Sequence, residues 1–343
     1  MKLKHLLFLS TLLSLMACSD DSPATPDSPE TPEQPDITNS VEKLVTMDVS
    51  QTYQTIAGFG ASDCWAPSFV GKSWTSGRAG ITELLFSSEI VNGKPKGIGL
   101  SQWRVNLGGG SAQQGDASGI EDKSRRAESY LKDDLTLDWS RCEGQRYFMS
   151  RAKELGCDNF ILFSNTPPVQ YTYNGKGFSV QGASSNLKTE HYDDFAGYMT
   201  EVAAHYTGEG YNVTHISPVN EPQYNWDGGQ EGSGWTNDQV AKLVRELDAS
   251  LTASGLSTDI LLGESGDWEY LYKSKSDANR SNVINAFFRE GSSAYVGNLP
   301  HVKNLICGHS YWTDGTWDGM RNVRKQVAQA AGQYDLEVWQ SER

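Results

Sequence analysis

The sequence predicts an α/β fold. From Val41 onward, short apolar runs alternate with longer stretches of helical spacing, as in strand–helix–strand units. The apolar runs are short and often β-branched, which is typical of buried parallel strands. Nearly every run is followed at once by a polar or aromatic cluster. In a parallel α/β barrel the carboxyl ends of the strands share one face, so these clusters are expected to meet there.

Seven strands are predicted, at residues 55–61, 99–107, 159–163, 213–216, 259–263, 304–308 and 336–342. Six helices alternate with them, near residues 80–86, 140–155, 190–207, from 236 onward, 281–289 and 319–331. Ser140 and Glu143 have capping-box spacing, as do Thr236 and Gln239, and Gly156 can end a helix in the left-handed conformation. Because a closed barrel needs eight units, we expect a (β/α)8 TIM barrel that lacks its eighth β/α unit.

Residues 1–18 are predicted to be a lipoprotein signal peptide. Two lysines precede a short apolar run that ends at Leu15-Met16-Ala17-Cys18, which is similar to a bacterial lipobox. The alternative is an ordinary signal peptide with an incidental cysteine. The acidic residues after Cys18 resemble a surface-export signal, so we expect an exported protein at the outer membrane or cell surface. Its only link to the membrane would be a lipid on Cys18.

Three further segments follow the signal peptide. Residues 19–40 are rich in Pro and acidic residues and are predicted to be a disordered tether. Residues 41–54 include the alternating run 41–49, which predicts an exposed strand whose partners belong to a separate small domain. Residues 55–343 are predicted to be the incomplete barrel, and to be the catalytic domain.

Composition narrows the choice of partners. A hydrophobic content of 37% with ten Trp and fifteen Tyr excludes a disordered protein, and a net charge of −14 disfavours nucleic acid. Beyond Cys18 the cysteines are Cys64, Cys142, Cys157 and Cys307, which show no CxxC spacing. Their disulfide pairing stays open, although Cys307 in an apolar run favours a buried thiol. We expect neither a metal nor a cofactor.

Two glutamates are the predicted catalytic pair. Glu221 follows the fourth strand and Glu342 ends the seventh, and these two strands face each other across a barrel of eight. Glycoside hydrolysis needs two carboxyl groups on either side of the scissile bond, and a separation of about 5–5.5 Å implies retention of configuration. The alternatives are an ordinary solvated carboxylate at Glu221 and a frayed end at Glu342.

The other strand ends supply candidate substrate-binding residues. Each has a structural alternative, such as an ion pair for the arginine, a core position for the histidine, or simple packing for the aromatic rings. Glu264 is a weaker candidate, because its surroundings also suit a turn. The predicted sugar contacts are Asp63, Trp65, Arg104, Asn165, Asn220, His309, Tyr311 and Trp312.

Six motifs occur in order along the chain: Gly58-Phe59-Gly60-Ala61-Ser62, Trp103-Arg104-Val105-Asn106-Leu107-Gly108-Gly109-Gly110-Ser111, Ser164-Asn165-Thr166-Pro167-Pro168, Asn220-Glu221-Pro222-Gln223, His309-Ser310-Tyr311-Trp312 and Trp339-Gln340-Ser341-Glu342. Together they resemble glycoside hydrolase family 30, and the resemblance covers the chain from about Val41 to its end. It implies Glu221 as acid/base and Glu342 as nucleophile, with His309, Tyr311, Arg104 and Asn220 lining the −1 subsite. It also implies a side β-sandwich, to which residues 41–54 would give the N-terminal strand.

Within that family, the closest resemblance is to the endo-β-1,6-galactanase-like branch. It is carried by Gln114-Gly115-Asp116 and Arg125-Arg126-Ala127-Glu128-Ser129, together with the glycine run after the second strand. The expected substrate is therefore a polysaccharide, a β-1,6-linked galactan, cleaved with retention. Hydrolysis of β-1,6-glucan or xylan remains open, as does a truncated lipoprotein that binds glycans without catalysis. A purely structural surface protein fits the polar strand ends poorly.

Overall fold

The computed structural model describes residue 46 and residues 48–179 and 185–343. The chain forms two compact units, Met1–Thr55 and Ile56–Arg343. The predicted signal peptide, the lipidation site Cys18, the tether and most of the strand predicted at residues 41–49 lie outside the described residues. At the described end of that run, Val49 lies in a turn in which the Ser50 N–H donates to Asp48, so the strand prediction is wrong at Val49 and stays a prediction for the rest of the run.

The strands of the second unit run parallel in chain order wherever the sequence predicts a barrel strand. β1, β4, β5, β6 and β7 form one five-stranded parallel sheet in that order, and β8 and β9 form a parallel pair. The hairpin of β2 and β3 stands apart. The strands are β1 Gly60–Ser62, β2 Ile90–Val91, β3 Lys94–Pro95, β4 Gln102–Asn106, β5 Asn159–Phe163, β6 Val213–Ser217, β7 Asp259–Ile260, β8 Leu305–His309 and β9 Glu337–Glu342.

Backbone hydrogen bonds continue the parallel arrangement from β7 to β8. Cys307 donates its N–H to the carbonyl of Leu262 at 2.9 Å, and His309 donates to Ser265 at 2.8 Å. The seven predicted strands are therefore present and parallel, although β1, β4 and β7 are clearly shorter than predicted. Their shared direction brings all of their carboxyl ends to one face.

The predicted helices are present between these strands. Three further helices were not predicted: α1, whose proline lies at its amino end, and the short α3 and α7. The helices are α1 Ala66–Ser73, α2 Arg78–Phe86, α3 Ser111–Gln114, α4 Glu143–Glu154, α5 Tyr192–Gly208, α6 Asn237–Ser254, α7 Glu269–Tyr272, α8 Val283–Phe288 and α9 Trp317–Gly332.

The helix caps follow the sequence in two cases and depart from it in one. Thr236 and Gln239 form the predicted capping box at the start of α6. Gly156 adopts the predicted left-handed conformation after α4, with φ 96°. The capping box predicted at Ser140 is wrong, because its hydroxyl bonds Asp138 at 2.6 Å and α4 begins after the left-handed Cys142.

The strand residues alternate between two apolar layers. Trp103 and Val105 of β4 join the large core between sheet and helices, whereas Ile161 of β5 joins a small separate cluster with Leu261, Leu305 and Cys307. Arg104 lies between Trp103 and Val105 in β4, so the pleat turns its side chain to the opposite face of the sheet. This alternation places the charged side chain of Arg104 on the face of the sheet opposite the large core.

The cysteines that follow Cys18 are all free thiols: Cys64, Cys142, Cys157 and Cys307. Cys307 is fully buried, as predicted. Within residues 46, 48–179 and 185–343, the helices all lack the length or the apolar character needed to cross a bilayer.

Candidate active site

The acid/base candidate Glu221 lies just beyond β6 in a constrained loop. Its N–H donates to the carbonyl of Glu264 at 2.9 Å, while the N–H of Asn220 donates to Ser164 at 3.0 Å. Glu221 and Glu264 both have positive φ angles, 43° and 42°. This conformation is costly for residues other than glycine and is concentrated at functional sites. Gly266 leaves the space for Glu221, because a Cβ there would lie 3.2 Å from the Glu221 Oε1 atom.

The nucleophile candidate Glu342 is held by two donors. Arg104 donates from Nη1 to its Oε2 at 2.8 Å, and the Tyr311 hydroxyl donates to its Oε1 at 2.9 Å. The carboxylate is one-quarter exposed, so it faces the cleft without being fully solvated. Both donors fix the position of the carboxylate oxygens, as in-line attack by a nucleophile requires.

The two carboxylates converge as predicted for facing strands. One oxygen of Glu221, one oxygen of Glu342 and a ring nitrogen of His309 all lie within 4.8 Å of one another. This approach is of the order of the carboxyl separation of about 5–5.5 Å in retaining glycosidases, whereas inverting enzymes need about 6.5–9.5 Å.

Arg104 lies below the cleft and joins several groups. Its Nη2 donates to the side-chain oxygen of Asn220 at 2.7 Å and forms an ion pair with Glu264 at 3.2 Å. Its guanidinium stacks 3.5 Å from the centre of the Phe163 ring. Burial disfavours its charge, but Glu264 and Glu342 outweigh that effect and raise the pKa of Arg104 above its usual value.

His309 connects Glu221 to a third, fully buried carboxylate. Its Nδ1 lies 2.9 Å from Glu221 Oε1, and its Nε2 lies 2.8 Å from Glu264 Oε2. Burial lowers the pKa of His309, but the two carboxylates together raise it to about 9. Burial likewise opposes the ionised form of Glu264, yet Arg104, His309 and Ser341 hold its pKa well below the usual range.

Glu221, His309 and Glu342 bring together the kinds of donor atom that a metal site uses. Both ring nitrogens of His309, however, already lie at hydrogen-bond distance from carboxylate oxygens, at 2.9 Å from Glu221 and 2.8 Å from Glu264. In this geometry the three residues form a hydrogen-bonded acid–base arrangement.

An open cleft of about 910 Å³ lies above this network. Five of the predicted substrate-binding residues line it, as do both glutamates: Trp65, Asn165, Asn220, Tyr311 and Trp312. Trp312 is 74% exposed and has a φ of 60°, so the backbone presents its ring to solvent. The cleft is also lined by four polar residues that the sequence analysis did not identify as substrate contacts: Asp122, Arg125, Asp227 and Gln230.

Three of the predicted sugar contacts need correction. Arg104 and His309 are buried beneath the cleft and do not line it; they contact the glutamates instead. Asp63 is also fully buried, and its two oxygens accept hydrogen bonds from the Asn106 N–H at 2.9 Å and from Gln145 at 2.7 Å. Burial raises the pKa of Asp63 to about 7. Asp63 therefore joins β1, β4 and α4 rather than binding substrate.

Glu231 is a buried carboxylate that the sequence analysis did not identify. It accepts hydrogen bonds from the backbone of Gly109 at 2.8 Å, and from the backbone and hydroxyl of Ser111 at 3.0 and 2.5 Å. These bonds tie the loop of Gln230 to the glycine run after β4. In the sequence, Glu231 is recognisable only as an acidic residue in a glycine-rich loop. That pattern does not reveal that its partner Ser111 lies 120 residues away.

Similarity to known proteins agrees with this site. The sequence pattern of O-Glycosyl hydrolase family 30 matches residues 42–343. An endo-β-1,6-galactanase of Hypocrea rufa is 25% identical over 318 residues, which are 87% of this chain and 60% of the relative. The chain thus spans about 60% of the length of that curated relative.

Two solved structures show the same fold. A conserved exported protein from Bacteroides fragilis is 31% identical with a TM-score of 0.82, and the match covers 86% of this chain and 62% of that one. An endo-β-1,6-glucanase is 17% identical with a TM-score of 0.58, and the match covers 88% and 61% of the two chains. With this match to residues 42–343, the chain belongs to O-glycosyl hydrolase family 30.

Proposed function

We propose that this protein is a retaining glycoside hydrolase that uses Glu221 as acid/base and Glu342 as nucleophile. The observation that carries the proposal is the approach of their carboxylate oxygens to within 4.8 Å at the wall of the cleft. That spacing leaves room for a sugar between the two groups but not for an additional water on the far face, as inversion requires.

The reaction then has two balanced steps. In the first, Glu342 attacks the anomeric carbon while the bond to the leaving oxygen breaks and Glu221 gives that oxygen its proton. In the second, Glu221 takes a proton from water, whose oxygen attacks the same carbon and releases Glu342. Arg104 and Tyr311 hold the Glu342 carboxylate in place for both steps.

The proposed substrate is a β-1,6-linked galactan, cleaved within the chain. The support is the relationship to the galactanase of Hypocrea rufa and the resemblance of the loops after β4 to that branch. The open cleft suits a polymer, and its exposed aromatic residues suit the faces of sugar rings. β-1,6-Glucan and xylan remain the competing substrates within the family.

The test is hydrolysis of β-1,6-galactan, β-1,6-glucan and xylan by the full chain, with Glu342→Gln as the inactive control. Short galactooligosaccharides from the first polymer alone are expected. Products from glucan or xylan instead would change the proposed substrate but leave the proposed mechanism in place. Binding of a glycan without any product would support the non-catalytic alternative and contradict the proposed hydrolase.

The proposal extends to architecture and location. The seven parallel strands are proposed to belong to a (β/α)8 barrel, and residues 41–54 to an adjoining β-sandwich. Export and lipid attachment at Cys18 rest on the N-terminal sequence alone. Incorporation of labelled palmitate into the expressed protein, lost on Cys18→Ala, tests the anchor; equal labelling of both proteins would contradict it.

A further inference from the structure

Glu264 is connected to each of the two proposed catalytic glutamates through one intervening side chain. Its Oε2 pairs with His309 Nε2 at 2.8 Å, and the other nitrogen of His309 reaches Glu221 at 2.9 Å. Its Oε1 lies 3.2 Å from Arg104, whose other amino group reaches Glu342 at 2.8 Å. One buried carboxylate therefore connects to both reacting groups through one cation each.

Glu264 cannot itself touch a sugar. It is fully buried, and the residues that line the cleft do not include it. Its remaining contacts are protein groups as well: the Ser341 hydroxyl donates to Oε2 at 2.7 Å, and the Glu264 N–H faces the Cys307 thiol at 3.4 Å. Such complete enclosure of a carboxylate is costly unless cations offset it. Here Arg104 and His309 supply that compensation.

The charges around His309 come from every element that packs against it. Glu221 approaches from the loop after β6, Glu264 from the loop after β7, and Glu342 of β9 lies 4.0 Å from Nε2. Arg104 of β4 is the positive group that faces Glu264 and Glu342, and the neutral Tyr311 ring lies 6.0 Å away. Negative charge thus exceeds positive charge around the imidazole, and Glu264 is the most deeply buried contributor.

We propose that Glu264 is a positioning residue that, through His309, sets the pH range over which the hydrogen-bonded pair of His309 and Glu221 keeps the proton that is given to the leaving group. This inference rests on the proposed glycosidase function. The hydrogen bond between Glu221 Oε1 and His309 Nδ1 can carry one proton on either atom. The pair can donate while that proton is present, and it cannot donate once the proton is lost to solvent.

The direction of the effect follows from electrostatics. A nearby negative charge favours the protonated pair, so removing it makes the proton leave at lower pH. In wild type the pair should keep its shared proton up to the pKa of His309, which is about 9. In Glu264→Gln the alkaline limb of the kcat/KM profile should move to lower pH by about 1–3 units, the range for one close charge.

Two variants separate charge from packing. Glu264→Asp keeps the charge and should restore the alkaline limb toward the wild-type position even where kcat falls. Glu231→Gln also removes a buried carboxylate, but Glu231 contacts Gly109 and Ser111 and not His309. It should lower stability without moving the alkaline limb. If the role of Glu264 is purely structural, Glu264→Gln should behave like Glu231→Gln, with the alkaline limb of its kcat/KM profile unmoved.

A second measurement does not depend on turnover. The His309 ring can be titrated by NMR in the full chain carrying labelled histidine. Its pKa is expected near 9 in wild type and lower by about 1–3 units in Glu264→Gln. An unchanged His309 titration overturns the inference whether or not the protein hydrolyses glycans. If the His309 pKa differs between wild type and Glu264→Gln but wild type cleaves none of the three polymers, the inference about His309 holds. The proposed hydrolase function is then contradicted.

Discussion

Arg104 and Glu342 lie 238 residues apart in the chain, yet their side chains form an ion pair of 2.8 Å. Arg104 is in β4, near the start of the sheet, and Glu342 is the last residue of β9. The second amino group of Arg104 reaches Asn220 and Glu264 from two other strand ends. One buried cation therefore holds the proposed nucleophile Glu342 in place relative to Asn220, the residue next to Glu221.

Arg104→Met should strongly destabilise the protein. Arg104 is 4% exposed and Glu264 is fully buried, so the change leaves the buried charge of Glu264 with His309 as its remaining cationic partner. Breaking such a pair costs about 3–5 kcal/mol. Urea denaturation measures the loss in the free energy of unfolding.

The double variant Arg104→Met/Glu264→Gln provides the control for this interpretation. Because the double variant also removes the charge of Glu264, its loss in the free energy of unfolding should be smaller than the sum of the losses in the two single variants. Additive losses would show that Arg104 acts through packing against Phe163 rather than through its ion pairs.

Glu221→Ala should affect substrates according to their leaving groups. Without the acid, a natural sugar leaving group should be released about 10²–10⁴-fold more slowly. An activated aryl leaving group departs as a stable anion and needs no proton, so its release should be much less affected. Steady-state kinetics with an oligosaccharide and an aryl glycoside measure the difference.

Glu342→Ala is the matched comparison for that experiment. It removes the nucleophile, which both substrates require, and so both rates should fall together. An equal loss for both substrates in Glu221→Ala would contradict the acid/base assignment.

Trp312→Ala should weaken binding of the polymer. The ring is 74% exposed in the cleft, where it can stack on a sugar, and an aromatic contact of this kind contributes about 0.5–1.5 kcal/mol. KM should therefore rise by up to about tenfold. Trp317→Ala is the control, because Trp317 is also exposed, at 68%, but does not line the cleft. A similar rise in both variants would contradict a specific role for Trp312.

Asp63 should make the protein less stable as the pH rises from about 4 to 7. Its folded-state pKa is raised to about 7 by burial, so the folded protein holds a proton that the unfolded chain has lost. Folding stability then falls with rising pH, by about 1.4 kcal/mol per pH unit. Asp63→Asn should flatten that part of the curve. Denaturation of both proteins between pH 4.5 and 8 measures it, and parallel curves would contradict the burial argument.

The sequence predicted the parallel strands and the two glutamates because these features are local. A β-branched run that ends at Asn220 and Glu221 carries its own signal, and alternation of strands and helices implies a shared face. The capping box at Thr236 was predicted for the same reason and is confirmed. The capping box predicted at Ser140 from the same kind of local pattern is wrong, because the Ser140 hydroxyl bonds Asp138 instead.

The roles of the buried polar residues were not predictable because their partners are distant. Glu231 bonds Ser111 across 120 residues, and Asp63 bonds Gln145 across 82. Arg104 and His309 were expected to contact sugar, but the structure places them one layer below the cleft. A strand-end position indicates the correct face of the sheet, whereas depth on that face depends on how the neighbouring loops pack.

The configuration of the first product tests the central claim most directly. Proton NMR can follow the anomeric signals of the sugar released from a β-linked galactan before mutarotation. If Glu221 and Glu342 act in a double displacement across their short separation, the β-anomer appears first and the α-anomer grows in later. Initial release of the α-anomer would mean that water attacks directly, and the roles given to these two glutamates would be wrong.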